Sequence, residues 1–319
     1  MSGVLGASPY LRYAGGLALR LALASAITFL LIKLVPGDPA VTLAGENATL
    51  ERVTKIRGEL GLDRPIVVQF LAWLGDAVRG DLGRSMISGD PVLGLVLDRC
   101  PVTLALAFLS LALATAGGVV LGVVAATSRG TWLDRLIAAL SSLGVAVPPF
   151  WLGLMLVVAF AIETSVFPSY GYVRPSEGLV DWLHHLALPA ATLAVSAVAE
   201  IARQTRGAMI DVLERDYVRT ARAKGLPRLV VLLKHAAKNA AIPVVTVIGL
   251  QASLFLAGSV VVETIFGLPG LGSLVFNSVT QRDIPVIQGV VLASAVLVLA
   301  VNMLVDLTYR FFDPRLRAP

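Results

Sequence analysis

The 319-residue chain has one cysteine, Cys100. That excludes an internal disulfide framework and a thiolate metal cluster, and leaves a small buried hydrophobe as its expected role. Charge is scarce as well: Asp, Glu, Lys and Arg make up 15% of the residues against 56% hydrophobic, and mean hydropathy is +0.82. This balance excludes a soluble domain of such length and places the chain in the membrane class. Catalytic signatures are missing too. His184, His185 and His235 stand in no HExxH motif, and no GxSxG supplies a nucleophile, so a membrane-bound enzyme has nothing to build on. No GxxxxGKS or GxxxxGKT phosphate loop occurs, which excludes ATP hydrolysis by that route.

Long apolar runs are what the chain has instead. Residues 14–35, 102–126, 136–162, 186–199, 241–262 and 286–305 approach the roughly 20 residues that a membrane-crossing helix needs; the fourth is short and is extended to Ala202. The expected fold is therefore an all-α membrane protein with six transmembrane helices. The first run is too long for a signal-peptide core, and LVPGDPA follows it rather than a small-x-small cleavage site, so it is read as a retained span. Residues 36–100 form a polar insert. PGDP at 36–39 breaks the helix before it. Leu50, Val53, Ile56 and Leu60 before Gly61, then Ile66, Phe70, Leu74 and Val78 before Gly80, announce two short amphipathic helices. Pro148 and Pro149 interrupt the third span.

Within 136–162, 241–262 and 286–305 there is no ionisable side chain. Ion- or proton-coupled carriers keep Asp, Glu, His or Lys inside the bilayer to bind the driving ion. Energy for any transport is thus expected to enter from outside the membrane, with an ion-coupled secondary transporter or channel as the alternative. Glu263 lies at a span end; it is a candidate gating residue, and simple interfacial placement is the competing explanation.

The basic residues gather in one place. Nine of them fall between Arg203 and Asn239 against Asp211, Glu214 and Asp216, an excess of six that exceeds the whole chain's net +5. With Arg129 and Arg135 in one connection and Arg310, Arg315 and Arg317 after the last span, the positive-inside rule makes both termini and this segment cytoplasmic and puts the insert outside. Topology accounts for the clustering, so nucleic acid is not an expected partner. Met209, Val212, Leu213, Tyr217, Thr220 and Ala221 recur at three and four along an apolar face, with Arg215, Arg219 and Arg222 on another; Gly225 and Pro227 stop the helix. Such a helix could lie on anionic membrane lipid, serve as an elbow, or dock into a groove on another protein.

DYVRTARAKGL (216–226) and KHAAKNAAIPVV (234–245) resemble the cytoplasmic coupling loop of ABC importer permeases in its dipeptide, oligopeptide and nickel variant. LVPGDPA, GLDRPIVVQF, RGDLGRS (79–85), GTWLDRL, VPPFWLG, VVETIFGLPGLG (261–272) and NMLVDLTYRFFDPRLR (302–317) extend the resemblance, in order, over nearly the whole chain. They are similar to the first permease subunit of that family, the DppB/OppB type. The resemblance implies a type I importer fold and a single permease domain over 1–319, lodged in a bacterial or archaeal cytoplasmic membrane. It implies that Asp216, Tyr217, Arg219, Thr220, Ala221, Arg222, Ala223, Lys224 and Gly225 form the ATPase-coupling element within 203–239. It also implies three kinds of partner: a homologous second permease of the DppC/OppC type, two cytoplasmic ATPases that bind ATP and magnesium, and an extracytoplasmic substrate-binding protein. The chain itself would bind no cofactor. Di- and oligopeptides are the implied cargo, with nickel, glutathione and sugars as variants.

Overall fold

A computed structural model describes residues 9–33, 40–41, 49–59 and 61–312. The PGDP break, Leu60, Arg315 and Arg317 lie outside them. The described residues are helical apart from turns and one isolated bridge between Arg84 and Pro91. In chain order the helices are α1 (Pro9–Lys33), α2 (Leu50–Glu59), α3 (Ile66–Val78), α4 (Val92–Thr127), α5 (Trp132–Ala146), α6 (Pro149–Leu156) and α7 (Leu179–Leu213). A π-helical stretch, Val157–Glu163, prolongs α6. Then come α8 (Asp216–Ala223), α9 (Arg228–Phe266, with a π-helical stretch at Val231–Ala237), α10 (Leu271–Gln281) and α11 (Ile284–Phe312).

Six spans are not what the structure has. Among the described residues four helices are long and apolar enough to cross a membrane, namely α4, α7, α9 and the Ile284–Val305 part of α11. The total reaches five if α5 and α6 count as one broken span. Two physical reasons reduce the number. In α1 the apolar stretch among the described residues is Leu19–Leu30, a dozen where about 20 are needed. At Val147–Pro148 the chain turns by 102°, because proline has no N–H to continue the ladder and pushes its predecessor to extended geometry; Val147 sits at φ −77°, ψ 123°. The spans also run longer than the apolar runs that announce them. Helix α4 begins ten residues before Val102 and carries Pro101 inside it, and α7 extends from Leu179 to Leu213, well past Ala202. No apolar run announces α10.

The chain forms two compact units. One comprises the described residues up to Cys100 together with Leu274–Leu299. Phe29, Phe70 and Trp73 stack there with ring centroids 5.6 to 6.3 Å apart. The RGDLGRS stretch of this unit is fastened by Asp283: the Ser85 hydroxyl and the Met86 N–H, 3.0 Å away, both donate to its carboxylate, while its carbonyl accepts the Ile287 N–H at the start of α11.

The other unit holds residues 101–273 and the chain from Ala300, and α7 is its axis. Thirteen α7 residues are buried, most of them apolar, among them Leu186, Leu193, Ile201 and Met209. Between lipid-embedded helices the hydrophobic effect supplies little attraction, so close backbone approach has to supply it. Gly118 and Gly122 of α4 allow that approach. A Cβ on Gly118 would lie 2.6 Å from Ile201 Cβ, and one on Gly122 2.5 Å from Thr205 Cβ and 2.6 Å from the Ala202 carbonyl. Gly249 of α9 stands in the same relation to Val305 of α11, at 2.5 Å, and nearby the Ser253 hydroxyl donates to Asn302 over 3.0 Å.

Replacing Gly122 by Val is expected to force α4 from α7 at an overpacking cost of about 1–3 kcal/mol. Thermal unfolding of the purified protein should show a midpoint several degrees lower, whereas Gly207→Ala, inside α7 with nothing within 4 Å, should leave it unchanged or raise it.

Candidate functional site

The basic segment does not form one loop. Arg203 to Leu213 are the last turns of α7. Arg215 is extended at φ −70°, ψ 147°, and α8 starts afresh at Asp216. The expected apolar face from Met209 to Ala221 is thus interrupted, and Asp211 and Arg215 do not share a helix. The break lets α8 turn Val218 and Ala221 inward, where they are buried with Val231 against Val212 and Leu213. Tyr217, Arg219, Thr220, Arg222, Ala223, Lys224 and Gly225 are exposed, and so is Asp216, which pairs with Arg219 at 3.4 Å. Of the nine residues expected to act together, eight therefore lie on the surface and Ala221 supports them from beneath.

A glycine-dependent stop terminates α8. The Gly225 N–H donates to the Arg222 carbonyl at 2.9 Å and the Leu226 N–H to the Ala221 carbonyl at 3.4 Å, the paired bonds of a Schellman motif with Gly225 at φ +76°. Nothing stands within 4 Å of a Cβ added there, so backbone conformation alone selects glycine. The amide of Asn239 donates to the Tyr217 hydroxyl at 2.9 Å and to the His235 carbonyl at the same distance. This ties α8 to the second helical run.

Two further contacts hold the segment to neighbouring helices. Arg206 donates twice to Asp134, Nε to Oδ1 at 2.6 Å and Nη2 to Oδ2 at 2.9 Å. Asp134 also accepts the Gly130 N–H at 3.0 Å, while its own N–H reaches the Thr131 hydroxyl at 3.5 Å in an N-terminal cap of α5. A buried carboxylate needs such a partner, and the two-pronged guanidinium is the geometry that satisfies it best. Arg129 pairs with Glu214, and Arg228 Nη2 donates to the Thr127 carbonyl at 3.3 Å. These arginines therefore do more than set topology.

Glu263, near the carboxyl end of α9, is fully buried. Its carboxylate accepts the Thr103 hydroxyl at 2.7 Å and the Ser273 N–H at 2.9 Å. Thr103 in turn accepts the Leu271 N–H at 2.8 Å. With no basic partner among the described residues, the acid is held here by the amino end of α10, whose unpaired N–H groups favour an anion. The GLPGLG run follows from this contact. A Cβ on Gly270 would stand 2.4 Å from the Glu263 carboxyl group and one on Gly272 2.8 Å from it, so only glycine lets the turn wrap the carboxylate. Sequence reading missed Thr103, Asp134 and Asp283. The signal available for Asp134 was the Thr-x-x-Asp cap pattern, and for Asp283 an acid just before Ile-Pro at a helix start.

Glu263→Ala is expected to leave the Thr103 hydroxyl and the Ser273 N–H unpaired, at about 1–3 kcal/mol per buried group. Thr103→Val should show a smaller loss of the same kind, and a double mutant should cost less than the sum of the two. Additive losses in thermal unfolding would show that the contact is not made. Asp134→Ala, which strands the Arg206 guanidinium, should destabilise more than Asp216→Ala, whose exposed pair contributes little.

The comparisons with known proteins agree with this architecture. Residues 118–318 match the model of the family described as "Binding-protein-dependent transport system inner membrane component", and residues 10–107 match that of its N-terminal region. A Brucella abortus (strain 2308) chain named as a peptide transport system permease protein is 46% identical over 291 residues, 91% of this chain and 93% of its own. A chain of Sinorhizobium fredii (strain NBRC 101917 / NGR234) named as a peptide ABC transporter permease protein is 44% identical, over 93% and 95%. The glutathione transport system permease protein of Escherichia coli (strain K12) is 40% identical, over 95% and 96%. Among solved structures, a chain of the MetNI methionine ABC transporter in an inward-facing conformation superposes with a TM-score of 0.57 at 18% identity, covering 69% of this chain and 97% of its own; at that identity the likeness concerns the fold. The glycine-wrapped Glu263, the α8 stop and the multi-pass helical membrane fold are thus features of a chain that belongs to the binding-protein-dependent transport system inner membrane components, and is the permease subunit of an ABC importer.

Proposed function

We propose that the permease moves small peptides and that α8 with its Gly225 stop is where cytoplasmic ATPases drive it. The observation that carries the coupling reading is the orientation of α8. Its two buried apolar residues face the chain's own helices, and it leaves an exposed face of Tyr217, Thr220, Ala223 and Lys224 between the ends of two spans. A short helix braced from behind and tied at Tyr217 to Asn239 passes on displacement instead of absorbing it. Basic clustering supports a cytoplasmic position for this segment and for both termini. The complete importer on this reading holds a homologous second permease, two ATPases that bind ATP and magnesium, and an extracytoplasmic binding protein that delivers cargo to the outer side. Residues 36–100 then face the binding protein.

Peptide cargo is supported by the names of the relatives from Brucella and Sinorhizobium. The Escherichia coli relative is named for glutathione, itself a tripeptide, so the shared chemistry is a short chain with free carboxylate and amino groups. A gating part for Glu263 runs only through the turn it holds: loss of its contacts with Thr103 and Ser273 would free the start of α10.

Gly225→Val places a β-branched residue at φ +76°, which costs about 1–2 kcal/mol or more of backbone strain and unwinds the stop. Reconstituted with its ATPases and binding protein, this variant is expected to hydrolyse ATP while losing most cargo-dependent uptake; unchanged hydrolysis and uptake together would refute the coupling reading. Cargo is checked by ATPase stimulation with binding protein loaded with di- to hexapeptides, glutathione, nickel chelates or sugars. Peptides are expected to stimulate; stimulation by sugars or nickel alone would contradict the assignment.

A further inference from the structure

Three of the long apolar helices end at one cavity. The carboxyl end of α4 (Ala126, Thr127), that of α7 (Ile210, Leu213) and the first turns of α9 (Arg228, Val231) all line it, and α8 closes it with Arg222. Its volume is about 510 Å³, far more than a single phosphate group fills. The apolar run of α4 ends at Ala126, on the rim of the cavity, so one of its walls reaches the level where a bilayer's hydrocarbon gives way to its headgroups.

The lining divides by chemistry. Three arginines, Arg129, Arg222 and Arg228, face one acid, Glu214. Glu214 is already paired with Arg129, so that pair is neutral. Arg228 is anchored to the Thr127 carbonyl through one nitrogen, which satisfies a donor without cancelling its charge. The Arg222 guanidinium has no hydrogen bond or ion pair among the described residues. Two arginines without an acid partner thus line a space whose other wall is Ile210, Leu213, Leu226 and Leu232. Planar guanidinium forks fit phosphate oxygens with two parallel bonds, and the apolar wall fits hydrocarbon. A zwitterionic choline headgroup finds no acid free to receive its cation.

We infer that this cavity binds a phosphate-bearing anion, and that its source is the headgroup of an anionic phospholipid held between Arg222 and Arg228. Bound there, the lipid bridges α8 to the ends of α4, α7 and α9, so the bilayer's anionic lipid content sets how firmly α8 is seated. Lipid binding rests on the cavity alone and does not require α8 to meet an ATPase.

The full-length chain, lipid-depleted in detergent, is titrated with phosphatidylglycerol or phosphatidylcholine and bound lipids are counted by native mass spectrometry. Phosphatidylglycerol is expected to bind at least about tenfold more tightly, and Arg222→Gln with Arg228→Gln to remove that preference, each charge-assisted bond being equivalent to about tenfold. A charge-matched control, Arg135→Gln with Arg215→Gln, should retain it. Equal affinity for the two lipids, or equal loss in both double variants, would overturn the inference. Displacement of phosphatidylglycerol by an equal concentration of inorganic phosphate would assign the site to a soluble anion and refute the lipid source. Hydrogen exchange on the unmutated chain provides a check that needs no variant: phosphatidylglycerol, and not phosphatidylcholine, should slow exchange across residues 213–232, and identical exchange with both lipids would also count against the site.

Discussion

The approach of α4 to α7 at Gly118 and Gly122 is the constraint on which the larger unit depends. In lipid, apolar side chains gain little by leaving the solvent for one another, so two helices associate only as closely as their smallest residues permit. With glycine at both positions, the α7 atoms of Ile201 and Thr205 occupy space that a Cβ on α4 would claim. The contacts around α8 are mounted on the result. Helix α7 carries Arg206 to Asp134 and leads to Glu214, which meets Arg129, and its carboxyl end supplies Val212 and Leu213, on which α8 rests.

Polar contacts at the two ends of the helices are built by the same rule in different forms. At one end the Asp134 carboxylate is satisfied by the guanidinium fork of Arg206 and the N–H of Gly130. Toward the other end of α9, Glu263 has no cation among the described residues and is satisfied by a hydroxyl and the amino end of α10. In each case a buried acid fixes a turn between helices, since leaving it unpaired costs more than ordering the turn. The Asp134 contact lies toward the α8 end of α7, while α8 itself leaves its charged side chains exposed.

Much of this organisation is legible in the residues. Apolar runs locate the helices, and the DYVRTARAKGL stretch, with the other matching stretches in order along the chain, points to the family. Span number is not legible, for reasons of geometry. An apolar run at 136–162 reads as continuous, and the 102° turn at Pro148 shows only in three dimensions; residues 14–35 read as one span although the described apolar part is short. Periodicity joins Met209 to Ala221 because the break at Glu214 and Arg215 is only two residues long and leaves no gap in the apolar spacing. The partners of Glu263 are out of reach since Thr103 lies 160 positions away, and a contact of that separation leaves no local trace. Glycines at 270 and 272 are visible in the sequence, but their reason, the carboxylate they wrap, is not.

Transport by this chain turns on whether the exposed face of α8 meets an ATPase. With Cys100 changed to Ser, a cysteine placed at Lys224 can be cross-linked in membranes that contain the assembled importer. The expected result is a cross-link to an ATPase subunit whose yield changes when ATP is added, and none from a cysteine at Ser88 in the insert. Equal labelling from both positions, or a Lys224→Cys chain that reaches no ATPase in a transporter still active in uptake, would contradict it.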